Sequence, residues 1–305
     1  MIVSIIGSGA IGMFYGTLLI DAGEEVHFLC RSDYETVKEK GIFIESKLRG
    51  NKTFENIHVH KDSCDMPISD IVIVSLKTTE NEKLLPVLLP PIVKKETTIV
   101  IIQNGLGVEA DVAKLFPDQQ IIGGLAFISS SKVAPGHILH IDHGNLSLGY
   151  FNHVNEQNIQ TIVAKLNQQN IKVILSDDLN KLRWRKLVWN IAFNGMTVVL
   201  GCQTDKLMQS KDLIGLSKDI MEEVISGAKA CGAELDVNLP SQMIQYTIDM
   251  PAYSPSMKLD YDHQRPMEIH YIYEEPIRIA KEAGYYMSKV DMLTKQLKFK
   301  QQFEY

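Results

Sequence analysis

Cysteine is scarce and shows no paired pattern. Cys30, Cys64, Cys202 and Cys231 lie far apart and none belongs to a CxxC pair. That fits a reduced, cytoplasmic protein better than a disulfide framework or a zinc site. An excess of basic charge is also missing. The net charge is −6 and the isoelectric point about 5.9, so the chain has no general attraction for phosphate backbones or anionic lipid, and neither nucleic acid nor a membrane is expected as a partner. No apolar run reaches membrane-spanning length. The opening MIVSIIGSG is apolar but has no basic leader and is cut short by glycines, so it reads as a first strand and not as a signal peptide or membrane span. Repeats and low-complexity tracts are absent.

What is present suffices for two cored domains: 305 residues, 45% of them hydrophobic. Through the first half, short β-branched runs alternate with helical patterns. IVSII (2–6), EVHFLC (25–30), DIVIVSL (70–76), TTIVIIQN (97–104) and QIIGGLAFI (120–128) are apolar throughout, as in a parallel sheet covered on both faces. Residues 129–151 carry turn residues between strand-like runs, and an antiparallel hairpin at the sheet edge is expected there. A helix near 155–169 and a last strand at 171–175 follow. From about Asp177 the pattern is helical, with long segments at 212–235 and 267–284. The boundary is placed at 176, dividing an α/β domain (1–176) from an all-helical one (177–305).

GSGAIG, directly after the first strand, has the G-x-G-x-x-G spacing and opens a helix. Gly7 permits the tight turn, Gly9 admits a pyrophosphate close to backbone, and Gly12 allows helix and strand to touch. The free N–H groups and positive dipole end of the helix then suit phosphate, with Ser8, Ala10 and Ile11 completing the loop. The first domain is therefore expected to be a Rossmann-type, mostly parallel sheet. Its second strand ends at Cys30-Arg31-Ser32, where an NAD site would carry a carboxylate for the ribose 2′-hydroxyl. Arg31 can instead pair with a 2′-phosphate, which points to NADP(H). Two later strands end in SLKTTEN, with Lys77, and IIQNGLG, with Asn104. Functional side chains gather at such carboxyl ends.

In RWRKLVWNIAFNG (183–195), Lys186, Asn190 and Asn194 recur every four residues along one stripe of an otherwise apolar helix. Arg183 lies on the same side. On these residues alone two readings stay open: a solvated face, or amides retained because they both donate and accept hydrogen bonds.

Taken in order, GSGAIG, Arg31, Lys77, QNGLG, WRKLVWNIAFNG and SMKLDYDHQRPMEI resemble the ketopantoate reductase (2-dehydropantoate 2-reductase) family over essentially the whole chain. The resemblance implies NADPH-dependent reduction of a small 2-oxo acid, ketopantoate, to pantoate on the way to pantothenate and coenzyme A. It also implies roles. Lys186 would be the catalytic acid, and Glu268 the carboxylate that positions it and the substrate. Asn190 and Asn194 would line the substrate pocket, and Ser256 would meet the substrate carboxylate. Asn104 would lie near the nicotinamide and the reacting carbon, and Lys77, with Asn104 and Glu268, would belong to the cofactor's surroundings. The chemistry agrees: hydride addition to a ketone builds negative charge on oxygen, which a positioned ammonium both stabilises and protonates.

The chain departs from the family pattern ahead of Ser256, where it has Tyr253 and Pro255, and after Glu268, where His270 stands in place of a common acidic residue and Glu274-Glu275 where Asn or Gly is frequent. Those changes put the choice of 2-oxo acid in question, not the hydride chemistry. A non-catalytic NADP(H)-binding regulator is the rival from another class. It would keep GSGAIG and Arg31 without needing Lys186, Asn190, Asn194 and Glu268 together. A homodimer is expected through the helical domain. His137, His140 and His143 are spaced like ligands, but a strand alternates their faces, so no metal is expected there. Trp184 and Trp189 are read as core and domain-interface packing, not as stacking platforms.

Overall fold

The computed structural model describes residues 1–304. These divide into two compact units, one of residues 1–103 with 108–179, the other of 104–107 with the described residues from 180 onward. The loop holding Asn104 thus groups with the helical unit although the strand leading to it does not.

The first unit is built on ten strands: β1 (Ile2–Ile6), β2 (Glu25–Leu29), β3 (Ile42–Ser46), β4 (Lys52–Phe54), β5 (His58–His60), β6 (Ile71–Val74), β7 (Thr98–Ile101), β8 (Gln120–Ala134), β9 (His137–Tyr150) and β10 (Val173–Ser176). They form one sheet in the order β4-β3-β9-β8-β7-β6-β1-β2-β5, with β10 also on β9. The pairs from β5 to β8 are all parallel. The central strands β6 (IVIV) and β7 (TIVI) are buried at every residue, as their Val/Ile-rich runs require. Helices α1 (Ala10–Asp21), α2 (Tyr34–Lys40), α3 (Asn81–Leu88), α4 (Val108–Leu115) and α5 (Gln157–Gln168) belong to the same unit. Eight consecutive residues of α1, Gly12 to Leu19, are buried, so this helix is apolar all round because it is enclosed all round.

The expected hairpin is β8 with β9, antiparallel and interrupted by three register shifts. It does not lie at the edge. β3 pairs in parallel with the first half of β9 and β10 with the second, and β4 forms the true margin. β4 and β5 carry little sequence signal because they are three residues long and polar (KTF, HVH), and β3 (IFIES) is a further strand that the sequence pattern does not mark.

The second unit comprises α6 (Leu179–Leu200), whose first residue still counts with the sheet, α7 (Thr204–Met208), α8 (Lys211–Ala230), α9 (Leu239–Asp249), α10 (Ser256–Asp262), α11 (Glu275–Glu282) and α12 (Ser288–Phe303). It has its own core, in which Trp184, Leu187, Val188, Ile191, Ala192 and Phe193 of α6 meet Met221, Val224, Tyr273 and Leu297. The buried carboxylate of Glu223 on α8 accepts the backbone N–H groups of Lys289 and Val290 and the Ser288 hydroxyl. It therefore caps α12 and complements that helix's positive end. Among the described residues no helix is long and apolar enough to cross a membrane.

Immediately before α11 the chain makes a wide π turn, His270–Glu274. Pro276 has no N–H and its ring collides with the carbonyl four residues back, so a regular α-turn cannot run through it. The wider turn carries the helix past that point.

Candidate active site

In the sheet unit, the glycine loop has little freedom. Gly7 holds φ at +110°, and a Cβ there would lie 2.4 Å from the Leu76 nitrogen; one at Gly12 would lie 2.3 Å from the Gly7 carbonyl oxygen. At Gly9 a Cβ would meet nothing within 4 Å, which leaves open the side from which a phosphate would approach. Gly9 sits at the N-terminal end of α1 with no side-chain cap, so the first N–H groups of the helix are left for a ligand. Ser8 spends its hydroxyl on the Leu29 carbonyl at 2.7 Å, tying the loop to the end of β2. Ser75 donates to the Gly7 carbonyl at 2.8 Å, which places the glycine loop beside the segment that continues to Lys77. Ala10 and Ile11 are half-buried, and Arg31 and Lys77 are exposed.

The sequence reading missed two side-chain pairs here. Asp33, buried two residues after Arg31, is held by Lys132 through both oxygens at 2.9 Å. Burial pushes its carboxyl up, but hydrogen bonds from Lys132 and Ser32 outweigh this and hold it below the usual carboxylate range. The nearby carboxylate is therefore paired within the fold, while the Arg31 side chain is exposed. Gln103 and Asn81 form a reciprocal amide pair at 2.8 and 3.0 Å, and Gln103 also donates to the Leu76 carbonyl. This fixes the residue just ahead of Asn104. These residues fit a dinucleotide with a 2′-phosphate: glycine backbone for the pyrophosphate and an arginine at the end of β2.

In the helical unit, the polar stripe of α6 is not a solvated face. Arg183 and Asn194 are 2% exposed, and Lys186 and Asn190 are half-buried. The Lys186 ammonium is pulled down to about 7, first by burial and then by repulsion from the Arg183 guanidinium, with Glu268 acting in the opposite direction. The side-chain amides of Asn190 and Asn194 make no hydrogen bond among the described residues, so their donors and acceptors are uncommitted.

Glu268 is itself 4% exposed and directly precedes the short helical turn that opens the π turn. The amide of Asn104 lies 3.5 Å from its carboxylate. That approach depends on the π turn: Leu106 donates its N–H to the Tyr271 carbonyl at 2.8 Å, and Gly105, at φ +101°, passes so near Tyr271 that a Cβ would meet it at 2.5 Å. The Tyr273 hydroxyl donates to the Ile191 carbonyl at 3.0 Å, in the middle of the Lys186–Asn190–Asn194 stripe. Loop, π turn and α6 are thereby tied together, and they bring Asn104, Glu268 and Lys186 into one constellation. Neither Tyr273 nor Arg183 was assigned a role from sequence, although the Pro276 break was a readable sign of an irregular helix.

Ser256 is half-buried and is the first helical residue of α10, with Pro255 before it. It shares no hydrogen bond with Lys186, Asn190, Asn194 or Glu268 among the described residues. The segment before it is anchored elsewhere: Thr204 donates its N–H to the Tyr253 carbonyl and accepts the Tyr253 N–H on its hydroxyl, Gln203 donates to Ser254, and the Tyr253 ring stands 6.2 Å from that of Trp189.

Two family models match the chain: ketopantoate reductase PanE/ApbA over residues 3–153, and the ketopantoate reductase PanE/ApbA C-terminal domain over 178–301. A curated 2-dehydropantoate 2-reductase from a Nostoc species is 42% identical over 301 residues, covering 97% of this chain and 94% of that protein. Two solved structures of 2-dehydropantoate 2-reductases are similar across their length. That from Geobacter metallireducens has a TM-score of 0.93 at 35% identity, covering 98% of this chain and 99% of the other. That from Methylococcus capsulatus has a TM-score of 0.90 at 33% identity, covering 98% and 96%.

Proposed function

The chain belongs to the ketopantoate reductase family and is an oxidoreductase of that type, and on that premise we propose that it reduces 2-dehydropantoate to pantoate with NADPH, serving pantothenate and coenzyme A synthesis. The observation that carries this reading is the Lys186 ammonium, brought to about 7 by its surroundings and set on one helix with two uncommitted amides. An acid is most useful when its pKa lies near the working pH, since it is then both protonated and ready to give the proton up.

When bound, NADPH supplies the hydride that the carbonyl carbon of the substrate accepts. Lys186 first polarises the carbonyl through its positive charge and then donates a proton from Nζ to the oxygen as negative charge develops there. Glu268 holds the ammonium and favours its charged form against the opposing effects of burial and Arg183. Asn104 steadies the Glu268 carboxylate. Asn190 and Asn194 hydrogen-bond the polar groups of the substrate without adding charge that would compete with the ammonium, and Ser256 offers a hydroxyl to its carboxylate. In the sheet unit, Gly7, Ser8, Gly9, Ala10, Ile11 and Gly12 hold the pyrophosphate. Lys77 contributes positive charge beside them, and Arg31 pairs with the 2′-phosphate.

A second reading keeps the chemistry and changes the substrate. Tyr253, close to Trp189, and the buried Pro255 stiffen the segment that leads to Ser256, and such a wall favours a different branched or bulkier 2-oxo acid. Following NADPH and NADH oxidation at 340 nm with ketopantoate and a panel of 2-oxo acids separates the readings. Fastest turnover with NADPH and ketopantoate supports the first. Silence on ketopantoate with turnover of another 2-oxo acid selects the second. NADPH binding without turnover of any of them defeats both.

A further inference from the structure

Strand β5 forms the margin of the sheet beyond β2, and the two run parallel with His27 opposite His58 and Leu29 opposite His60. Side chains two residues apart on a strand share a face, and paired positions of neighbouring strands do too. Glu25 and His27 of β2 therefore stand on the same face as His58 and His60 of β5, giving one carboxylate and three imidazoles on a patch two strands wide. We propose that Glu25, His27 and His58 bind a divalent transition-metal ion, zinc or nickel in class, with His60 as the outer partner that orients His27.

The donor atoms are already gathered. One ligand atom from each of Glu25, His27 and His58 lies within 4.8 Å of the others. His27 Nε2 is 3.0 Å from Glu25 Oε1, and the His27 and His58 rings are stacked at 4.5 Å with planes 18° apart. A tetrahedral ion with metal–ligand bonds of about 2.0–2.1 Å needs donors roughly 3.3 Å apart; imidazole lone pairs lie in the ring plane, so binding requires the exposed His58 ring to turn out of the stack and aim at the ion that His27 Nε2 and Glu25 face. Two imidazoles and a carboxylate suit zinc or nickel better than the oxygen-seeking calcium or magnesium.

The outer partner is also in place. His27 Nδ1 lies 3.0 Å from His60 Nε2. With an ion on Nε2, the His27 ring carries its proton on Nδ1 and donates it to His60, the arrangement by which metal-bound histidines are oriented. Burial fixes the His27 ring, at 6% exposure, while Glu25 and His58 are exposed. The ion can therefore enter from solvent and keep a water as fourth ligand. None of the four residues belongs to the glycine loop or to the helical unit. A bound ion would clasp the marginal strand β5 to β2.

Isothermal titration of the full chain with zinc chloride in a non-coordinating buffer tests this. One saturable equivalent of zinc is expected. Because His58 and Glu25 are exposed, His58→Ala and Glu25→Gln should leave the fold intact and each weaken that equivalent at least tenfold. His60→Ala should weaken it about ten- to a hundredfold, as loss of an orienting partner does. His153→Ala should leave it unchanged. X-ray absorption at the zinc edge should show two imidazole ligands. No saturable equivalent in the parent chain would overturn the proposal, as would undiminished affinity in His58→Ala and Glu25→Gln, since the ion would then be held elsewhere, for instance by the exposed Cys64.

Discussion

The side-chain amide of Asn104 reaches the carboxylate of Glu268 at 3.5 Å, across 164 residues of sequence. Glu268 in turn acts on Lys186, so a loop at the end of a β-strand contributes, through one carboxylate, to the behaviour of an ammonium on a helix.

Lys186→Met should lose about a hundredfold to ten-thousandfold in kcat, the usual contribution of a positioned acid, with NADPH affinity retained. It should also be more stable than the parent. Folding lowers the Lys186 pKa from 10.5 to about 7, so the charged form is disfavoured in the folded state. That cost is present in full below pH 7 and disappears as pH rises past the unfolded value. The thermal midpoint of Lys186→Met should therefore exceed that of the parent at pH 6, by a margin that shrinks toward pH 10. A lower midpoint at pH 6, or near-normal turnover, would contradict the assignment.

The pH profile should report the same group. Donation requires the ammonium, so log kcat/KM should fall by about one unit per pH unit once pH passes about 7. Glu268 favours the charged form, so Glu268→Gln should move this limb to lower pH and reduce activity at pH 7, with partial recovery on acidification. A limb that stays in place would mean that Glu268 acts only on substrate.

For Arg31→Ala, the Kd for NADPH should rise about tenfold to a hundredfold, the worth of a hydrogen bond to a charged group, while NADH binding barely changes. Equal losses for both cofactors, measured by fluorescence titration, would remove the 2′-phosphate role.

Gly105→Ala should act through Asn104. An L-residue at φ +101° is strained, and its Cβ would meet Tyr271 at 2.5 Å, so the loop must lift from the π turn. A stability loss of about 1–3 kcal/mol is expected, with kcat down at least tenfold because Glu268 loses its neighbour. Unchanged kcat in a destabilised chain would show that the Asn104 contact is dispensable.

What could be read beforehand was local. The glycine loop announces itself because strand, turn and helix follow within a dozen residues, and the apolar runs of β1, β6 and β7 need no context to mark a buried sheet. The short polar strands β4 and β5 carry almost no such mark, since only their neighbours make them strands. Arg183 looked like a sign of solvent because charge usually is; tertiary packing encloses it and turns it against Lys186. The grouping of Asn104 with the helical unit, and the pairing of Asp33 with Lys132, depend on contacts far apart in sequence that no periodicity encodes.

The π turn at His270–Glu274 amounts to an α-helix carrying one residue more than its hydrogen bonding requires. Each residue of an α-helix advances the chain by about 100° around the axis. Deleting one residue from the turn would restore a regular spiral and swing everything before it, Glu268 included, by about that angle relative to α11. The aim of the carboxylate is thus set by arithmetic along the chain. A one-residue deletion here would be a rotation before it was a loss of any side chain.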